Sequence, residues 1–155
     1  MFLTSFDYRK GLIKPLIEHT KNAIGLDLIE SNSSGQRPDG PFATYTITSP
    51  YIAVIFEDNL TNSPFECVVS LTIHDKNSSL DALNLAERYR KSFVTEENLI
   101  KFKDKNITII TANRANRRDN LLSIDYERLA GFDLRVRLVD SFADDTGIAI
   151  DNIEI

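Results

Sequence analysis

Phe132-Asp133-Leu134-Arg135-Val136-Arg137-Leu138-Val139 is the stretch that decides the fold. Phe132, Leu134, Val136 and Leu138 alternate with Asp133, Arg135, Arg137 and Val139. Successive side chains of a strand point to opposite faces, so this pattern makes one apolar face and one largely charged face. Cys67, Val69, Leu71 and Ile73 alternate with Ser70, Thr72 and His74 in the same way, which predicts a second half-buried strand.

Working outward, Phe42 to Phe56 is also β-like, with Pro50 marking a bend or an edge position because proline donates nothing to a ladder. Leu26 and Leu28 suggest a short strand. Glu30 to Pro41, rich in Ser, Asn, Gly and Pro, reads as a long exposed loop, and Asp58 to Pro64 as a turn-rich one. Residues 106–112 and 121–127 are further expected strands, with Asn113 to Asn120 as a basic hairpin loop between them. Ile150, Ile153 and Ile155 form a short β-like tail after the acidic loop Asp144-Asp145-Thr146-Gly147.

Helical spacing appears twice. Leu12, Ile13, Leu16, Ile17, Thr20 and Ile24 share one face. Ser5 or Asp7 can cap that helix, Pro15 either follows a late start near Ile13 or bends it, and Gly25 ends it. Ala82, Leu85, Ala86, Tyr89 and Phe93 form the stripe of a second helix that opens near Ser79, with Asp81 and Lys91 matching its dipole. The order is helix, strands, helix, strands. It predicts a single α+β domain over residues 1–155, with two helices packed on one face of a mostly antiparallel sheet.

Composition narrows function. The chain has 155 residues, of which 42% are hydrophobic and 26% charged, enough for one core without staples. A net charge of −5 argues against a general nucleic-acid binder, which needs a positive field. The one cysteine, Cys67, excludes an intramolecular disulfide and reads as a small buried hydrophobe. Asp7 interrupts any signal-peptide core, and no run approaches the roughly 20 apolar residues of a membrane helix. The expectation is a protein made in the cytoplasm with no membrane partner.

Chemical motifs are sparse. His19 and His74 lack a second His or Cys at metal-ligand spacing. No Gly-x-Ser-x-Gly elbow and no phosphate-binding glycine loop occurs. Asp144, Asp145 and Asp151 lack the alternating oxygen ligands of a calcium loop and read as a solvated acidic segment. Arg114, Arg117 and Arg118 cluster in a turn region, either to meet phosphates or an acidic partner, or as a solvated tip beside Asp119. No catalytic residue, cofactor site or metal site is assigned.

Three ordered segments carry a resemblance: Arg37-Pro38-Asp39-Gly40-Pro41-Phe42-Ala43-Thr44-Tyr45, then Asn116-Arg117-Arg118-Asp119, then Tyr126-Glu127-Arg128 through Arg137. Together they resemble the neck or tail terminator proteins of tailed bacteriophages. The resemblance implies a structural virion protein without cofactor or catalysis. It implies a ring, usually a hexamer, that caps the head-proximal end of the tail tube, stops its growth and joins it to the neck. Its partners would be copies of itself, the major tail tube protein and the neck or connector protein, with DNA only passing through the lumen. A different head–tail connector or tail-completion protein is the alternative, and a small hydrolase a remoter one. Candidate interface residues are Arg37 and Asp39, then Arg114, Arg117 and Arg118, then Asp133, Arg135 and Arg137. A last pair, Ile153 and Ile155, belongs to a terminal segment expected to add an edge strand to a neighbour.

Overall fold

The computed structural model describes residues 3–32, 35, 37–54, 62–117, 128–140 and 143–144. Its centre is the pair of strands whose alternation stands out in the sequence, β4 (Ser63–Asp75) and β7 (Arg128–Asp140). They run antiparallel in unbroken register over all 13 residues, from Ser63 opposite Asp140 to Asp75 opposite Arg128. Phe65, Cys67, Val69, Leu71 and Ile73 lie buried beside Leu138, Val136, Leu134, Phe132 and Ala130.

Outward from this pair, β3 (Phe42–Ala53) runs antiparallel to β4, and β2 (Leu28–Glu30) lies parallel to β3. On the other side β5 (Thr108–Ala112) and the short β6 (Asn116–Arg117) both pair with β7. The order is β2-β3-β4-β7-β5, with β6 beside β7. A separate two-residue ladder joins β1 (Leu3–Thr4) to β8 (Ala143–Asp144).

Among the described residues three helices cover one sheet face, and their buried side chains join a single core with the strands. Helix α1 (Lys14–Ile24) follows a π-helical turn at Arg9–Ile13. This settles the ambiguity over Pro15: the chain is already helical before it, and the helix widens into a π turn just ahead of the proline, which stands at the start of α1. Asp7 caps the first turn by accepting from the N–H of Arg9 at 3.0 Å and Lys10 at 3.2 Å. Gly25, at φ 69°, ends α1 in the left-handed conformation.

Helix α2 (Ser79–Ser92) is capped by the Ser78 hydroxyl and buries Ala82, Ala86 and Tyr89. Tyr89 and the following Phe93 meet Phe132 edge-on, at 5.4 and 6.0 Å between ring centres. Inside the core the Tyr89 and Thr20 hydroxyls bond each other, and Thr20 donates to Leu16 O at 2.7 Å. Burial pushes the Tyr89 phenol well above its ordinary value.

The expectation of two helices is corrected to three. Helix α3 (Glu96–Asp104) starts on a Thr95 cap and buries only Phe102, which stacks on Phe93 at 5.6 Å. The expected basic loop at 113–120 is also shortened. Asn113 N–H bonds Asp133 O at 3.0 Å, and Asn116 and Arg117 pair with Gly131 and Ala130, so the chain stays on β7 through Arg117. The expected strand at 121–127 lies outside the described residues.

Pro50 sits within β3 inside the second of two register shifts, between Ser49 and Ile52 and beyond Tyr45, where the pairing with β2 stops. It occupies the bent edge position that its missing N–H requires. Gly131 answers a different need. A Cβ there would fall 2.3 Å from Leu71 O and 2.9 Å from Thr72 Oγ1, so only glycine lets β7 pass β4 this closely.

Candidate assembly surfaces

The sheet face away from the helices is the one that the charged alternation predicted. Glu66, on β4, faces Arg137 across the ladder, and Arg135 lies two residues along the same strand face. Arg135 Nε donates to Glu66 Oε1 at 2.6 Å, while Arg137 Nε and Nη2 donate to Oε2 at 3.1 and 2.7 Å. The Glu66 side chain is 9% exposed, but those of Arg135 and Arg137 are 41% and 45% exposed. Hydrogen bonds from Arg137 and then Arg135 hold the carboxyl below the usual glutamate range. The result is a pair of guanidinium groups held on one carboxylate and presented outward.

Asp133 shares this face and is half-buried. Two of the candidate residues thus gather with Glu66, which pattern reading passed over. The signal was the β4–β7 register, which places residues 66 and 137 opposite each other although 71 positions separate them.

Farther along the same face, Phe42 stacks flat on its register partner His74 at 4.5 Å and 8°. Thr44 Oγ1 and His74 Nε2 bond at 2.9 Å. The Arg37 guanidinium lies 5.9 Å from the Phe42 ring centre, the reach of a cation–π contact. The loop that carries Arg37 and the exposed Asp39 is therefore anchored on the sheet. Arg114 is exposed between β5 and β6, apart from the Arg135–Arg137 group in the chain. The side chain of Arg117, and Arg118, Ile153 and Ile155 altogether, lie outside the described residues.

His19 is half-buried against the edge of the core, between α1 and α3. It bonds Ser92 Oγ at 2.8 Å and packs 4.4 Å from Phe93 and 5.0 Å from Phe102. Burial, with Lys101 and Lys105 nearby, pushes it down to about 4. Cys67 is fully buried and is pushed up to about 11 by that burial. Among the described residues no three His, Cys, Asp or Glu side chains gather as a metal site would require.

These features define a class: an α+β domain whose helices cover one face of a long, mostly antiparallel sheet and leave the other open and charged. The chain belongs to the phage neck terminator protein family, which it matches over residues 10–155. That family supports a structural role in completing the phage tail at the neck. Comparison with curated proteins finds no significant match.

Proposed function

We propose that this protein forms a ring on the head-proximal end of the phage tail tube, ends tube growth and joins the tail to the neck. The match to the neck terminator family over residues 10–155 carries the reading. The open sheet face supports it: Glu66 holds Arg135 and Arg137 rigid, so a partner carboxylate or carbonyl meets guanidinium groups that have little left to lose in side-chain entropy.

A ring of identical subunits needs one surface that fits a different surface of the next copy, with a rotation that closes. A hexamer is the proposed closure. Arg135, Arg137 and Asp133 are proposed for the contact between copies or with the tube protein. Arg37, Asp39, Arg114, Arg117 and Arg118 are proposed for contacts with the tube or the neck connector, and Ile153 and Ile155 for the donated terminal strand. DNA passes through the lumen without being held, as an acidic chain favours. Assembly takes place in the host cytoplasm and the product is part of the virion.

Deleting the gene in its parent phage or prophage and viewing the lysate by electron microscopy tests this. Overlong or headless tails beside DNA-filled heads are expected. Normal tails on normal heads would end the proposal.

A further inference from the structure

We infer that the groove between α1 and α3 binds an acidic, extended segment of another virion protein. The inference rests on the assembly reading above and gives the chemistry of one of its contacts.

Two adjoining cavities make the groove. One, of about 90 Å³, lies among His19, Asn22, Asn98 and Lys101. The other, of about 270 Å³, lies beside Lys10 and Lys14. Pro15, Glu18 and Lys105 line both, so the two are continuous. Each is smaller than the roughly 300–1,000 Å³ of a small-molecule site, which suits successive side chains of an extended chain better than a compact ligand.

Lysine dominates the lining. Lys10, Lys14, Lys101 and Lys105 are all exposed and face one acid, Glu18. Lys105 reaches Glu18 at 3.2 Å, and Lys101 reaches Glu97, which lines neither cavity, at 3.0 Å. Both pairs are exposed and contribute little, so an incoming carboxylate displaces them at small cost. The positive field extends into the smaller cavity, where Lys101 and Lys105 add to the effect of burial in lowering His19. In a chain of net charge −5 this concentration is a local exception.

Helix stability does not account for it. Lys101 suits the C-terminal end of α3. Lys10 and Lys14 stand at the opposite kind of end, where the dipole favours anions, and neither the π turn nor α1 has an acid in its first turn. The π turn itself carries Lys10 and delivers Lys14, and turns of that kind recur at functional sites.

Hydrogen bonding favours a polypeptide over a nucleic acid. Ser92 Oγ donates its one proton to Tyr89 O at 2.5 Å. His19 Nε2 therefore donates to Ser92 Oγ at 2.8 Å, and Nδ1 of the neutral ring is left as an acceptor. A polypeptide brings N–H groups for such an acceptor together with carboxylates for the lysines. A phosphodiester backbone brings acceptors alone. Pro15 and Phe102 give the smaller cavity apolar walls, which suit the methylenes of an Asp or Glu side chain.

The test places p-benzoylphenylalanine at Asn22, an exposed residue of the smaller cavity, in the full-length protein made in its parent phage. Purified particles are irradiated and the cross-linked peptide is sequenced by mass spectrometry. One acidic segment of a different virion protein is expected. Lys14→Glu with Lys101→Glu, folded by circular dichroism, should remove the cross-link, and Lys14→Arg with Lys101→Arg should keep it. Acid-to-lysine changes in the captured segment should restore it to the doubly reversed variant.

A cross-link to DNA, to a neutral or basic segment, to a second copy or within the same chain would overturn the inference. So would particles that contain the protein and yield no cross-link, and both results leave the terminator reading intact. A cross-link that survives the reversal at Lys14 and Lys101 would refute the selection by charge. Normal particles that form without the protein would sink the terminator reading and this contact with it.

Discussion

Gly131→Ala is expected to destabilise the domain by about 3 kcal/mol, the upper part of the usual overpacking range. The new Cβ would meet Leu71 O at 2.3 Å, more than 1 Å inside ordinary contact of ~3.4 Å or longer. The obstacle is backbone, so no side chain can turn away. Relief requires β7 to move off β4, and that ladder is continuous over 13 residues with β5 and β6 on its far side. For a chain of 155 residues, roughly 3 kcal/mol lowers Tm by about 6–12 °C. Differential scanning calorimetry beside Gly40→Ala supplies the comparison, since a Cβ at Gly40 meets nothing within 4 Å. If both variants unfolded within a degree or two of the parent, the close passage of β7 over Leu71 would not be what requires glycine.

Other expectations concern charge and the core. Glu66→Gln leaves Arg135 and Arg137 adjacent and unneutralised, and should cost about 1–2 kcal/mol in urea unfolding at pH 7. The cost is reduced from that of a buried pair because the arginines are 41% and 45% exposed and screened by solvent. The folded pKa of Glu66 is lowered, so its contribution is present above the unfolded carboxylate value and is lost as pH falls through the lowered one. Parent and Glu66→Gln stabilities should therefore converge in acid; a gap that stays constant would refute the ion pair's role. His19 gives a separate window. Its pKa falls from 6.5 to about 4 on folding, so the unfolded chain takes up a proton that the folded one refuses, and stability declines as pH drops between those values. His19→Gln should flatten that decline in urea titrations at pH 7 and pH 5. Phe93→Ala, at a fully buried ring shared by α1, α3 and β7, should cost about 3–5 kcal/mol by the same assay.

The two long strands were legible because each buries one face, so their sequences alternate over many residues. Asp133, Arg135 and Arg137 were placed on the open face for the same reason. Helix α3 escaped because Phe102 is its one buried residue, which gives too narrow a stripe to see. Its signals were the Thr95 cap, Glu96 and Glu97 in the first turn, and Lys101 and Lys103 in the last. Strand β6, two residues long, carries no period at all. Glu66 was invisible as a partner because register across distant strands is a tertiary property. The contact of Arg37 with Phe42 likewise depends on how a loop folds back, which composition does not encode.

The position of β7 has a consequence for synthesis. It lies in the interior of the sheet, yet among the described residues it is the last long strand to be made. When Asp75 has been made, β4 has only β3 beside it, and Phe65, Val69, Leu71 and Ile73 lack the facing half of their core. At ~5–20 residues per second, the 65 residues from Asp75 to Asp140 take roughly 3–13 s to appear. During that interval the nascent chain exposes a long apolar strand with a free edge, the kind of surface that chaperones hold. Folding is therefore deferred until β7 has been made, and a chain that stops before Arg128 yields an aggregation-prone fragment rather than a smaller working domain.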